Sequence, residues 1–272
     1  MASRKEQKEQ ARAARIAQQQ EAAARAQRTR RLQVFGAATV IAAIVVAVAI
    51  VISSGGGPSL KHGSAASAVY NTVNAEIGGI PQSGTTLGRP SAKVTLQYWG
   101  DLQCPICRDF TVGAGGGGLP EFIQRDVRTG IAKVHYESLC TATCNPANPT
   151  GGMGTFNAQQ SAAYSAGRQN LAWYYIELFY RQQGAEDSGY ATRKFINGIA
   201  EQIPGLHLKA WQAGVSDKTL VNQVDASQRT GIVKFNFNAT PSFTITGPKG
   251  TSSLGSGILT YAQLAAAVKA VS

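Results

Sequence analysis

Residues 92–110 read AKVTLQYWGDLQCPICRDF, and the fold turns on how this stretch is read. AKVTLQYW (92–99) is rich in β-branched and aromatic residues, so it reads as a strand running into the cysteine pair. Cys104 and Cys107 stand three apart, with Pro105 directly after the first. Proline fits the first turn of a helix, where its missing N–H leaves nothing unsatisfied. A strand feeding C-x-x-C at a helix start is an arrangement that activates a thiol. Free N–H groups and the partial positive charge of the helix end both favour thiolate at the first cysteine. Cys104 is therefore the candidate nucleophile and leaving group. Cys107, one turn inward, is the candidate resolving thiol.

Downstream, GAGGGG (113–118) breaks that helix within two turns, as a lip near the site or a kink. LPEFIQRDVRTG resumes helical spacing and stops at Gly130, and IAKVHYESL (131–139) alternates as a second strand. From about Thr155 to Gly231 the pattern is helical. ATPSFTITG (239–247) then reads as a strand, GPKG as a hairpin turn and TSSLGSGI as the partner strand. LTYAQLAAAVKAV (259–271) is an amphipathic C-terminal helix. The order β, α, β, helical block, β, β, α describes an α/β fold, a small mixed sheet with helices on its faces.

The charge is uneven. The chain has 26 Lys+Arg against 15 Asp+Glu, a net +11. Residues 1–31 hold nine basic residues and three Glu, so +6 belongs to this tail and +5 to the rest. No nucleic-acid-binding pattern follows the tail, and no nucleic-acid partner is expected. Val34–Ile52 is 19 residues without a charge, long enough to cross a bilayer core of ~30 Å. A cleaved signal peptide is the alternative, with AVA at 47–49 resembling a cleavage site. The 31-residue basic region and the long apolar run favour an uncleaved anchor. These features divide the chain into a basic cytoplasmic tail (1–31), a transmembrane helix (32–53), a flexible Gly/Ser/Ala/Thr-rich linker (54–86) and an ordered domain (87–272). The positive-inside rule puts that domain outside the cytoplasm, where disulfides persist.

LGRPSAKVTLQYWGDLQCPICRDF resembles the opening of the membrane-anchored, DsbA-like thioredoxin-fold proteins of bacteria, which run roughly G-x-P-x-A-x-V-T-L-x-E-F-x-D-x-Q-C-P-x-C-x-x-F. The similarity continues through LPEFIQRDVRTGIAKVHYESL and NATPSFTI and covers about residues 87–272. The resemblance implies a thioredoxin-like fold with an inserted helical subdomain at about 153–232, preceded by one transmembrane helix. It implies a thiol:disulfide oxidoreductase that forms or exchanges disulfides in exported proteins, with no cofactor. Its partners would be reduced or mispaired exported proteins and a membrane redox partner that resets the CPIC pair. Cys104 and Cys107 match the redox pair, and Thr240-Pro241 matches the cis-proline loop that pairs with a substrate strand. The chain departs from the pattern at Tyr98, where the family has Glu six residues before the first Cys, so proton shuttling through that carboxylate is in doubt. Asp101 matches the family's acid three residues before Cys104 and either caps the helix or tunes the redox pair. Pro-Ile between the cysteines lacks the His that stabilises the thiolate in DsbA-type enzymes, so a weaker oxidant is expected.

Other readings use the same residues. Cys140 and Cys144 form a structural disulfide stapling SLCTATCNPANPTGG, or a relay that passes electrons to Cys107. C-x2-C with C-x3-C also resembles a four-cysteine zinc site, though export and Pro105 at a helix start argue against it, and no metal is expected. A reductase or isomerase would use the same pair in the other direction. A non-catalytic metal- or partner-binding module would keep the fold without turnover. His62, His135 and His207 read as structural, and Trp99, Trp173 and Trp211 as core or cleft aromatics. No hydrolase pattern or phosphate loop stands out.

Overall fold

The described residues of a computed structural model, 60–149 and 151–272, begin with a helix where the composition reads as a linker. Helix α1 (Gly63–Ile77) buries Val73 and Ile77 completely, and Val69 and Tyr70 pack beside them. Val69, Val73 and Ile77 recur every fourth residue, which places them on one face. The flexible linker expected at 54–86 is thus corrected for residues 60–86. Small residues cover the rest of the helix surface and mask the stripe in a composition count. Residues 54–59, the basic tail (1–31) and the segment 32–53 lie outside the described residues. Among the described residues no helix is long and apolar enough to cross a membrane.

A hairpin of two short strands, β1 (Gln82–Ser83) and β2 (Thr86–Leu87), follows α1. The chain then runs through β3 (Val94–Gly100), α2 (Pro105–Val112) and α3 (Leu119–Phe122), which continues as a π turn to Val127. Strand β4 (Ala132–Ser138) leads into the helical block: α4 (Met153–Gly167), α5 (Ala172–Arg181), α6 (Arg193–Glu201), α7 (Leu208–Val215) and α8 (Lys218–Arg229). A π turn extends α8 to Lys234. Strands β5 (Ser242–Gly247) and β6 (Gly250–Ser256) and helix α9 (Tyr261–Val271) close the chain. The sheet order is β1-β2-β4-β3-β5-β6. β3 and β4 are parallel, while β3 with β5 and β5 with β6 are antiparallel. The sheet is mixed and larger than four long strands, because the two-residue strands are too short to show alternation.

Alternation along β3 separates two faces. Leu96 and Tyr98 join Val134, Tyr136, Phe243 and Ile245 in the main core. The Tyr98 ring stacks on Phe243 (5.4 Å between centroids) and meets Phe110 of α2 edge-on (5.2 Å). Such aromatic pairs add about 0.5–1.5 kcal/mol beyond burial. Trp99 points the other way, into a small cluster with Leu139 and Phe237. All three tryptophans are buried.

GAGGGG is a close-packed corner. Gly113 ends α2 in the left-handed region (φ 81°), which suits a residue without a Cβ. A Cβ on Gly118 would lie 2.3 Å from the backbone nitrogen of Tyr261 and 2.5 Å from the carbonyl carbon of Thr260, at the start of α9. Gly118→Ala should therefore cost about 1–3 kcal/mol through forced backbone movement. Gly154→Ala, in α4 with open space around it, should be neutral or stabilise by up to about 1 kcal/mol. Urea denaturation of the two variants checks this, and equal stabilities would contradict the close packing of α9 on the glycine corner.

Candidate active site

Cys104 sits where β3 ends and α2 begins, as the N-cap residue, with extended backbone (φ −73°, ψ 120°). The turn before it is tied from several sides. Cys104 N–H donates to the Asp101 carbonyl (3.0 Å), and Gln183 Nε2 donates to the carbonyls of Leu102 (2.9 Å) and Cys104 (3.1 Å). Cys104 Sγ accepts the N–H of Cys107 at 3.4 Å, as a helix start offers. The Cys104 thiol also donates to the carbonyl of Thr240 at 3.4 Å, and the Thr240–Pro241 peptide bond is cis. Both cysteines are free thiols. Cys104 is 5% exposed and Cys107 fully buried.

The two thiols are unequal. Hydrogen bonding from the Cys107 thiol, with smaller help from Thr240 and the Cys107 N–H, holds Cys104 below the ordinary thiol range, against burial and the charge of Asp101. Burial pushes Cys107 well above that range, and its hydrogen bond with Cys104 and the Cys104 charge push it further. Ionisation therefore falls on Cys104 first.

Behind Cys107 stand phenols rather than a carboxylate. Tyr98 Oη lies 3.3 Å from the Cys107 carbonyl, 3.2 Å from Thr111 Oγ1 and 3.2 Å from Tyr180 Oη. Tyr180 in turn donates to the Asp101 carbonyl at 3.2 Å. Burial raises the pKa of both phenols far above ordinary tyrosine, so they stay neutral. They can orient the loop by donating hydrogen bonds, and they supply no base to Cys107.

Asp101 is fully buried on the other side of the turn. Its Oδ1 accepts from Gln103 N–H (3.0 Å), Thr143 Oγ1 (2.5 Å) and Gln159 Nε2 (3.2 Å). Its Oδ2 accepts from the N–H groups of Thr141 (3.0 Å) and Thr143 (2.8 Å). Burial raises the pKa of this carboxyl, and the hydrogen bonds from Thr143, Gln103 and Thr141 oppose that rise. Thr141 and Thr143 lie inside the C-x3-C segment, where Cys140 and Cys144 are joined in a disulfide with Cα atoms 5.6 Å apart. The Thr141 and Thr240 hydroxyls are hydrogen-bonded, so this ring also touches the Pro241 loop.

The structure thus brings Cys104, Cys107, Asp101, Tyr98, Thr240 and Pro241 together, with the Cys140–Cys144 ring beside them. Sequence reading missed Thr141, Thr143, Gln159, Tyr180 and Gln183. A signal existed for Gln159, a polar residue in the Ala-rich NAQQSAAYSAG (157–167), which here is buried. A four-cysteine metal site would need thiolates at 140 and 144, where the structure has a disulfide. Among the described residues no three His, Cys, Asp or Glu side chains are grouped as a metal site. His135 pairs with Thr86 (2.7 Å) and Glu137 (3.3 Å), and His207 precedes α7.

A family model described as thioredoxin matches residues 82–270. No curated protein matches the chain. Among solved structures, oxidised BdbD from Bacillus subtilis superposes with a TM-score of 0.53 at 15% identity, covering 70% of this chain and 96% of that one. A thioredoxin-like oxidoreductase from Silicibacter pomeroyi DSS-3 gives 0.53 at 20% identity over 68% and 90% of the two chains. DsbA2 from Pseudomonas aeruginosa gives 0.52 at 16% identity over 70% and 95%. At such identities the likeness is one of fold.

The inequality of the thiols has a direct readout. With the pair reduced, Cys104 should reach half its maximal alkylation rate at lower pH than an unperturbed cysteine, and Cys107 at higher pH. Iodoacetamide labelling followed by site-resolved mass spectrometry measures both profiles, and coincident profiles would contradict the assignment.

Proposed function

The chain belongs to the thioredoxin family, and from that premise we propose that it is a DsbA-type thiol–disulfide oxidoreductase acting through Cys104 and Cys107. One observation carries this reading. Cys104 caps a helix start and is held below the ordinary thiol range, while Cys107, buried behind it, is pushed above. In the oxidised enzyme a substrate thiolate attacks Cys104 Sγ, and the Cys104–Cys107 bond breaks with its electron pair going to Cys107, which takes a proton. A second substrate thiolate then attacks the substrate sulfur of the mixed disulfide, releasing Cys104 as thiolate. The substrate loses two electrons and two protons; the CPIC pair gains both electrons and one proton, on Cys107, and the other proton passes to solvent. Thr240 and Pro241 flank Cys104 where a substrate strand would lie, and Asp101 and Tyr98 tune the pair.

Disulfide donation is favoured over reduction, because a stabilised Cys104 thiolate stabilises the reduced enzyme and makes its disulfide more oxidising. The proposed place of action is outside the cytoplasm, with segment 32–53 as a single membrane anchor and the basic tail inside. Support for this comes from the uncharged run 34–52, the basic residues on one side of it and the Cys140–Cys144 disulfide, of a kind that persists in oxidising compartments. The partners on this reading are reduced exported proteins and a membrane redox protein that removes the two electrons from the CPIC pair.

Replacing Cys107 by Ser removes the resolving thiol and should trap substrates on Cys104. Non-reducing gels of cells expressing Cys107→Ser should show mixed disulfides that vanish on reduction and in the Cys104→Ser/Cys107→Ser double variant. The captured proteins should be exported ones. Absence of adducts would defeat the catalytic assignment, and capture of cytoplasmic proteins alone would defeat the proposed location.

A further inference from the structure

The two cysteine motifs meet at one carboxylate. Three of the five donors to Asp101 come from the ring closed by Cys140 and Cys144: the N–H groups of Thr141 and Thr143 and the hydroxyl of Thr143. The ring is a turn, closed by the Cys144 N–H on the Thr141 carbonyl (3.1 Å), and its N–H groups at 141 and 143 converge on the one oxygen Oδ2. The disulfide helps hold them there. Its Cα atoms are 5.6 Å apart, whereas a free segment of four peptide steps can span about 13 Å. Each donor faces an oxygen that has no proton to give, so the donor set fits an ionised carboxylate.

From the ring, two short paths reach Cys104. The Asp101 carbonyl accepts the Cys104 N–H, and the Asp101 charge acts directly against a thiolate at Cys104. The Thr141 hydroxyl bonds that of Thr240, whose carbonyl accepts the Cys104 thiol. We propose that Asp101 is a positioning residue through which the Cys140–Cys144 ring restrains the reactivity of Cys104. The proposal rests on the redox reading of Cys104 and Cys107.

The direction of the effect follows from charge. A closed ring keeps Asp101 ionised and close to Cys104, which opposes thiolate formation there. Opening the ring frees up to three donors, and a buried carboxyl deprived of them takes up a proton. The other titratable groups facing Asp101 are Cys104, the neutral phenols of Tyr136 and Tyr190, and Glu186, with Tyr180 and Cys107 on its backbone; none is a cation. With Asp101 neutral, the opposing charge is gone and Cys104 ionises at lower pH.

The test uses the full-length chain carrying Cys107→Ser, so that Cys104 is the remaining thiol while the ring stays closed without reductant. The pH profile of Cys104 alkylation is compared in this parent and after adding Cys140→Ser/Cys144→Ser, Asp101→Asn or Thr143→Val. Ring opening and Asp101→Asn should each lower the pH of half-maximal rate by about one unit, and Thr143→Val by less in the same direction. Ring opening added to Asp101→Asn should bring no further shift. A ring that only staples the fold would lower the melting temperature and leave the profile in place. An unchanged or raised midpoint on ring opening, or an undiminished shift in the Asp101→Asn background, overturns the proposal. Should the ring-opened chain fail to fold, Thr143→Val decides with the ring closed, and an unmoved midpoint there overturns it. A Cys107→Ser parent that captures no mixed disulfides in cells would instead defeat the redox reading.

Discussion

The parallel pairing of β3 with β4 is the constraint on which the site depends. Its register sets Gly100 opposite Ser138, so both strands end together and both cysteine loops leave the same edge of the sheet. β5 runs antiparallel to β3 and pairs Ser242 with Trp99, which brings Thr240 and Pro241 to that edge as well. Three segments distant in sequence thus converge without any of them being long. Gly100 sits at the crowded end of this pairing, where a Cβ would lie 2.7 Å from the Tyr136 ring and 2.9 Å from the Tyr180 hydroxyl.

What converges there divides two kinds of environment between two thiols. Cys104 has the helix start and a carbonyl on one side, and Cys107 has aromatic rings and neutral phenols. A buried carboxylate behind Cys107 would accept its proton. Tyr98 in that place donates a hydrogen bond and remains neutral, which leaves Asp101 as the charged group of the site. Burying Asp101 would be costly if it were alone, and its five donors offset that cost. Because most of those donors lie 40 residues or more away, the integrity of the site is tied to the fold as a whole.

The legible part of this structure was the part with local pattern. AKVTLQYW alternates and is a strand, and Pro105 marks the helix start that follows it. The mixed α/β fold with inserted helices followed from the order of such segments. Helix α1 was hidden because an Ala- and Ser-rich helix looks like a linker unless its Val69, Val73 and Ile77 stripe is weighed against a surface it docks on. That surface is supplied from elsewhere: Gln124 and Arg128 cap its last carbonyls, and Tyr174 stacks on Tyr70. Asp101 could be singled out as a candidate from its place before Cys104. Its partners Thr141 and Thr143 could not, since only the β3–β4 register brings them near. Likewise GAGGGG could be seen to break a helix, but the helix start it packs against lies some 140 residues on.

On the proposed reading, the Cys107 thiol and, to a smaller extent, the helix start stabilise Cys104 as thiolate enough to make the Cys104–Cys107 disulfide an oxidant. Equilibrating the CPIC pair against glutathione at controlled ratios measures this directly. The expected potential lies at or above the glutaredoxin range, about −200 to −230 mV. A value at or below that of thioredoxin, about −270 mV, would contradict it and make the site a reductant.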